Sequence, residues 1–180
     1  MALKAWKKLR QEFELKNPWW TYRKDSTRLP SGKTGEYHYV HVKGSSMIIP
    51  LMNDGKMILV NQYRYLAGRE SLEFPCGSVK ETSTYEETAA HELAEETGFT
   101  AGEMRCVAEF NPYNGVTDEI CKVYLARHLT AVTAHKDDTE EFEYEYLTPS
   151  EFNERVIAGN IWDGMTLSAW ALTKHLLIKA

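Results

Sequence analysis

Hydrophobic positions along this chain fall into helical and alternating rhythms that divide it into an arm and a body. Over residues 2–15, Leu3, Trp6, Leu9 and Phe13 recur at helical spacing with lysines between them, which predicts an amphipathic helix broken by Asn17-Pro18. A basic amphipathic helix can lie on a membrane surface. For so short a stretch, packing on the body or on a partner subunit is the better fit. Strand-like segments follow: residues 19–23 are aromatic, residues 36–42 alternate as EYHYVHV, and residues 47–52 are apolar. Asn53-Asp54-Gly55 is a hairpin turn signal that leads into a strand over residues 56–65. Two more strands are expected at residues 104–110 and 120–126, separated by the loop NPYNGVTDE. Helical rhythm returns at residues 84–99, at 148–158 and at 166–178. The second of these opens on Thr148 and Glu151 as a capping box, with Pro149 at the first helical position.

The run over residues 84–99, TYEETAAHELAEETGF, carries the first sign of chemistry. Thr84 and Glu87 form a capping box at its start, and Gly98 stands just past its end. Glu92, Glu95 and Glu96 crowd its last turns, on a side read as roughly opposite Ala89, Ala90, Leu93 and Ala94. Like charges at this spacing cost about 0.2–0.5 kcal/mol per pair. Negative charge near a helix C-terminus costs about 0.3–1 kcal/mol more. A solvated acidic face would have to absorb all of these terms, whereas a hard divalent cation held by oxygen ligands reverses their sign.

With Gly77 ahead of it, this stretch resembles the signature of the Nudix hydrolases, G-x5-E-x7-R-E-U-x-E-E-x-G-U, where U is a bulky aliphatic or aromatic residue. Gly77, Glu92, Leu93, Glu95, Glu96, Gly98 and Phe99 fall in register with it. Ser83 stands where the pattern has Glu, and His91 where it has Arg. Losing both removes one charge of each sign, so neither partner is left as an unpaired ion, and His91 can still donate to a nearby carboxylate. The resemblance implies an α/β fold, an α/β/α sandwich with a mixed sheet. Residues 46–180 would form that domain, and residues 1–45 a helix and β-strand extension serving dimerisation. It also implies Mg²⁺, with Mn²⁺ as the alternative, held by Glu92 and Glu96, with Glu95 in the same cluster and the backbone carbonyl of Cys76 as a further ligand.

Composition narrows the partners. A chain of 180 residues supports one domain with a sizeable core and a small extension. The net charge of −5 and the lack of a basic stripe argue against nucleic acid. No apolar run approaches the length of a membrane span, and no signal-peptide core is evident. Cys76, Cys106 and Cys121 are odd in number and have no C-x-x-C spacing. They fit buried thiols in a reducing compartment, hence the cytoplasm, better than a disulfide framework or a zinc site. His38 and His41 offer no metal spacing on a strand.

The flanking stretches Asn61-Gln62-Tyr63-Arg64-Tyr65 and Glu70-Ser71-Leu72-Glu73-Phe74-Pro75-Cys76-Gly77 resemble the Q-Y-R and E-x-P-A-G segments of ADP-ribose pyrophosphatases and related nucleotide-sugar hydrolases. By that resemblance Gln62 and Arg64 would bind substrate, Arg64 at the diphosphate, and Glu119 would be the substrate-side acid of its loop. Asn114 stands where these relatives commonly have proline, which departs from the ADP-ribose pattern. A catalytic glutamate in a mobile loop would fall to Glu141 first and Glu140 next, with Glu95 as a further candidate. Each is otherwise a solvated acid. Trp20 and Tyr22 would reach a nucleobase across a homodimer or else pack in a core. The implied reaction splits the diphosphate of a nucleoside diphosphate joined to a sugar or ribose phosphate, giving a nucleoside monophosphate and a sugar phosphate. The alternative is a Nudix-fold binding or sensor module without turnover, motivated by Ser83 and His91.

Overall fold

Period-two runs that are apolar at every position need cover on both faces, and that requirement organises the body of the protein. The structure is a computed structural model describing residues 3–132 and 142–178. In chain order it contains β1 (Lys7–Lys16), β2 (Thr21–Arg28), β3 (Thr34–His41), β4 (Ser45–Pro50), β5 (Met57–Arg64), β6 (Arg69–Glu73), β7 (Cys76–Ser78), α1 (Tyr85–Thr97), β8 (Phe99–Phe110), β9 (Cys121–Ala131), β10 (Phe142–Leu147), α2 (Pro149–Ile157) and α3 (Gly164–Thr173). Two compact units result, residues 1–43 with 111–119, and residues 44–110 with 120–180. The loop 111–119 therefore joins the extension rather than the body.

In the larger unit, β7, β4, β9 and β8 form a four-stranded sheet in that order. β4 runs parallel to β9, while the β4–β7 and β8–β9 pairs are antiparallel, so the sheet is mixed. β10, β5 and β6 make a second, antiparallel sheet. Alternation along β4 and β9 sorts side chains into two cores. Ile48, Tyr124 and Ala126 pack with Ala89 and Leu93 of α1. Met47, Ile49, Val123 and Leu125 pack with Phe152 of α2, Ala169 and Trp170 of α3, and Met57 and Leu59 of β5. This is the expected α/β/α sandwich.

Both capping boxes form, at Thr84 with Glu87 and at Thr148 with Glu151. The third helix starts earlier than expected because Asp163 caps it, accepting the Thr166 N–H at 2.7 Å. It ends at Thr173 and passes into a 3₁₀ turn over Lys174–Leu176. The Asn53-Asp54-Gly55 turn closes with Gly55 at φ +84°. Its flanking strands then diverge into the two sheets.

The smaller unit corrects one expectation. Residues 7–16 form a strand, not a helix. Asn17 Oδ1 accepts the N–H groups of Trp19 and Trp20, both at 2.8 Å, and folds the chain back so that β1 pairs antiparallel with β2. The helical spacing of Leu9 and Phe13 overlapped a second pattern, Glu12-Phe13-Glu14-Leu15-Lys16, that alternates with period two. Cross-strand hydrogen bonding decided between them. A three-stranded antiparallel sheet, β1-β2-β3, is the β extension.

The Phe74, Phe152 and Trp170 cluster should carry much of the body's stability. Phe152 is fully buried, stacked on Phe74 with ring centroids 5.0 Å apart and tilted against Trp170 at 4.7 Å. Phe152→Ala should cost about 3–5 kcal/mol, read as a lowered urea midpoint with an unchanged slope.

Candidate active site

Two carboxylates of α1 converge on adjacent residues of β7, Cys76 and Gly77. Glu96 is buried, and its Oε2 accepts the Cys76 N–H at 3.1 Å. Glu92 lies against Gly77 so closely that a Cβ there would stand 2.0 Å from the Glu92 carboxyl carbon. The glycine is therefore required by close approach of a side chain. β7 holds this peptide in place by pairing Cys76 with Met47 and Gly77 with Ser46 of β4. Glu92 and Glu96 are one helical turn apart, so both reach the same strand.

This geometry corrects the reading of the helix face. Glu96 follows Ala89 by seven residues, which returns it to within about 20° of the same stripe. Ala89, Leu93 and Glu96 are buried together, while Ala90 is exposed. Glu96, expected from the sequence as a metal ligand, is on the packed side of α1, not opposite it. Glu95 is half-buried on a different side and takes a contact from His91 Nδ1 at 2.9 Å. His91 therefore stands within ion-pair distance of the acid four residues on. Ligand atoms of His91, Glu92 and Glu95 all lie within 4.8 Å of one another. An oxygen-rich set of this kind fits a hard divalent cation, and imidazole is compatible with the transition-metal alternative.

Ser83 and His91, the two departures from the signature, line one cavity of about 320 Å³ together with Ser78, Lys80, Glu87, Thr88 and Glu92. Glu87 is held below the usual carboxylate range, first by the Thr84 N–H and then by the Thr84 hydroxyl.

A second group forms on the β5–β6 hairpin. Arg64 meets Glu73 with two nitrogens, Nε to Oε1 at 2.8 Å and Nη2 to Oε2. Gln62 Nε2 approaches Glu73 Oε2 at 3.5 Å. Glu73 is 2% exposed, whereas the Arg64 side chain remains 47% exposed. The hydrogen bonds that Arg64 donates to Glu73 chiefly raise the Arg64 pKa, with the charges of Glu73, Asp163 and Cys76 adding to it. Glu73 and Asp163 were not among the residues read from sequence as functional. Glu73 sits inside the E-x-P segment, so its signal was present, but its role as the anchor of Gln62 and Arg64 needs the hairpin register to be seen.

The remaining candidates are placed separately. Glu119, Trp20 and Tyr22 belong to the smaller unit. The Glu119 carbonyl accepts Asn111 Nδ2 at 2.6 Å, and its N–H donates to Thr117 Oγ1 at 3.4 Å. His41 Nδ1 lies 2.6 Å from Asp118 in the same loop. The Tyr22 hydroxyl shares a 2.6 Å hydrogen bond with His38 Nδ1, and Trp20 is exposed. Glu140 and Glu141 lie outside the described residues. Glu143 is exposed, but Glu145 is half-buried and paired with Arg155 at 2.7 Å. None of the three cysteines forms a disulfide, and Cys106 is exposed rather than buried.

Comparison with known proteins bears on the family and the fold. A family model described as NUDIX domain matches residues 42–164. An ADP-ribose pyrophosphatase of Bacillus subtilis (strain 168) is 31% identical over 147 residues, covering 81% of this chain and 80% of that protein. A methanol dehydrogenase activator of Bacillus methanolicus is 30% identical with the same coverage, 81% and 80%. The crystal structure of an ADP compounds hydrolase superposes with a TM-score of 0.84 at 18% identity, covering 98% of this chain and 96% of that one.

Two outcomes test the site. Gly77→Ala should push the Glu92 carboxylate off the Cys76–Gly77 peptide and lower turnover by about a hundredfold, as misplacement on the ångström scale does. Thermal unfolding should show the variant still folded. Ser83→Glu and His91→Arg should each be harmful alone, since the first adds an acid to a cavity that already holds Glu87 and Glu92, and the second replaces the imidazole that meets Glu95. Together they should be close to neutral. A double-mutant cycle should read a coupling of about 0.5–3 kcal/mol in turnover or stability. Independence of the two changes would mean that they share no network.

Proposed function

The chain belongs to the Nudix family of hydrolases, and from that premise we propose that it is a Mg²⁺-dependent pyrophosphatase of ADP-ribose or related nucleotide sugars. That it is a Nudix pyrophosphatase follows from membership. The choice of substrate is supported by the ADP-ribose pyrophosphatase of Bacillus subtilis, and by an ADP-sugar pyrophosphatase of Mus musculus at 31% identity. The observation that carries the chemistry is the convergence of Glu92 and Glu96 on adjacent residues of β7, Gly77 and Cys76.

In the reaction, water adds to one phosphorus of the diphosphate and the bridging P–O bond breaks. A nucleoside monophosphate and a sugar phosphate are released, and a base takes the water proton. Glu92, Glu95, Glu96 and the Cys76 carbonyl would hold Mg²⁺, or Mn²⁺ in its place. A cation held there would supply charge to offset the diphosphate and to acidify water. The chain's own residues prepare this site. The Cys76 N–H fixes Glu96, Gly77 leaves room for Glu92, and His91 orients Glu95. Arg64 spends two of its five N–H donors on Glu73, and its exposed remainder is available to a phosphate oxygen. Gln62 shares the Glu73 anchor.

Glu141, or Glu140 next, is the proposed general base, and Glu119, Trp20 and Tyr22 the proposed substrate contacts, all on family resemblance. We also propose homodimerisation through the extension. A cytoplasmic setting is supported by three cysteines without a disulfide. No helix among the described residues is long and apolar enough to cross a membrane. The second reading, a nucleotide sensor without turnover, is favoured by the cavity at Ser83 and His91, where the family's charged pair is missing.

A panel of ADP-ribose, ADP-sugars, GDP-sugars, dinucleotides and coenzyme A, with and without Mg²⁺ or Mn²⁺, separates these readings. Metal-dependent release of nucleoside monophosphate, fastest from ADP-ribose or an ADP-sugar, is expected. Glu96→Gln should lower it by at least about a hundredfold at limiting Mg²⁺, the upper end of what even an outer partner of a metal site contributes. Nucleotide binding without cleavage would favour the sensor.

A further inference from the structure

The turn of the β5–β6 hairpin brings two arginines face to face. Gly68, at φ +66°, donates its N–H to the Arg64 carbonyl at 2.9 Å and closes the turn. The register then sets Arg64 directly opposite Arg69. Directly opposed residues of an antiparallel pair share a face, with Cα atoms about 4.5–5.5 Å apart. Like charges placed so are destabilising, and the turn by itself gains nothing from the pair.

Each guanidinium is held by a different device. Arg64 is forked onto Glu73 and keeps its outer N–H donors. Arg69 Cζ lies 3.9 Å from the centroid of the Trp162 ring, a cation–π contact. Stacking occupies the flat face of a guanidinium and leaves its in-plane N–H donors unused. Among the described residues the Arg69 guanidinium makes no hydrogen bond or ion pair. Trp162 is fixed in turn, its Nε1–H donating to the Glu70 carbonyl at 3.0 Å. Glu73 and Asp163 are the acids whose charge reaches Arg64. Asp163 also accepts the Thr166 N–H. Glu70 stands opposite Tyr63, hence on the other face, and accepts from Asn61 at 3.2 Å. Between the two anchors lies an unmet polar group. Ser71 shares the arginine face, between Arg69 and Glu73 along β6 and opposite Gln62. It is 1% exposed, and its hydroxyl has no hydrogen-bond partner among the described residues. A buried hydroxyl in that state destabilises the empty protein, and a ligand oxygen would relieve it.

We propose that Arg69 is a second substrate-binding arginine. Arg64 and Arg69 straddle the two phosphates of a nucleoside diphosphate group, the Ser71 hydroxyl donates to an oxygen between them, and Trp162 positions Arg69. Arg64 lies close enough to Cys76 to feel its charge, so the clamp borders the acids of α1. A monophosphate fills only half of it. The clamp rests on the reading of this chain as a nucleotide-sugar pyrophosphatase. It adds Arg69 and Trp162, which lie outside the stretches that resemble the relatives.

Isothermal titration of the full chain with ADP and with AMP, in chelator so that nothing is cleaved, reads the clamp directly. The parent should bind ADP about tenfold more tightly than AMP, as charge-assisted contacts to a second phosphate provide. Arg69→Met keeps an apolar side chain against Trp162 and drops the charge. It should bind ADP about tenfold more weakly and AMP nearly as the parent does. Trp162→Ala should show a smaller loss of the same kind, and Trp162→Phe, which keeps a ring under Arg69, should recover it. Ser71→Ala should raise the unfolding temperature, because an unpaired buried hydroxyl is gone, and yet weaken ADP binding. ADP affinity unchanged by Ser71→Ala overturns the part given to the hydroxyl. An Arg69 that only braces the hairpin would shift the unfolding temperature of Arg69→Met and leave its ADP to AMP ratio at the parent's value. That result overturns the clamp. The reaction fails separately. A chain that prefers ADP through Arg69 but cleaves no nucleotide sugar with Mg²⁺ or Mn²⁺ keeps the clamp and loses the pyrophosphatase reading. Metal-dependent cleavage by Arg69→Met at the parent's KM keeps the reaction and overturns the clamp.

Discussion

A buried carboxylate needs a donor, and in this protein the donor is a backbone N–H at the start of a strand. Glu96 accepts from Cys76 at 3.1 Å. Left unpaired it would cost several kcal/mol or give up its charge. The bond ties the C-terminal half of α1 to β7, and β7 is tied to β4 through Met47 and Ser46. The α1 helix has no basic residue in its last turn to offset its acids. Helix propensity therefore does not explain their position. Packing of Ala89 and Leu93 on Ile48, Tyr124 and Ala126 does, because it fixes the rotation of α1 and with it the direction of Glu92 and Glu96.

The same rule operates on the neighbouring hairpin with a different partner. Glu73 is as deeply buried as any charged group described, and Arg64 answers it with two parallel contacts. A lysine could neutralise the charge but could not present this fork. The arrangement keeps the guanidinium half in solvent while one edge is anchored, which preorganises a cation instead of leaving it to search. The energetic weight lies in avoiding an uncompensated buried acid, since an ion pair taken out of water contributes little by itself.

What the sequence made legible was whatever rests on local chemistry. Thr84, Glu87 and Gly98 marked both ends of α1, and Thr148, Pro149 and Glu151 marked the start of α2, because capping is a contact between near neighbours. The alternating strands of the body were legible because their faces are buried. Residues 7–16 were misread because one short stretch satisfies both periods, and only the turn at Asn17 and pairing with β2 decide between them. The packed position of Glu96 was hidden by its charge, although seven-residue spacing from Ala89 held the answer. Glu73 was hidden for the opposite reason. It looked like a motif letter, and its partners Gln62 and Arg64 come into reach only when β6 folds back on β5.

The missing charged pair at Ser83 and His91 can be weighed on the same terms. An arginine at position 91 would offer five donors, enough to serve several acids of α1 at once. Histidine offers two at most, and its Nδ1 is spent on Glu95. Orientation of the other two acids then has to come from elsewhere. Glu96 takes it from the Cys76 N–H, and Glu92 from its contact with Gly77. Both of these are backbone features that substitution at 83 or 91 does not reach. A site whose main acids are aimed by the backbone can lose a supporting ion pair and keep its geometry. The change then falls on the charge and volume of the cavity beside it.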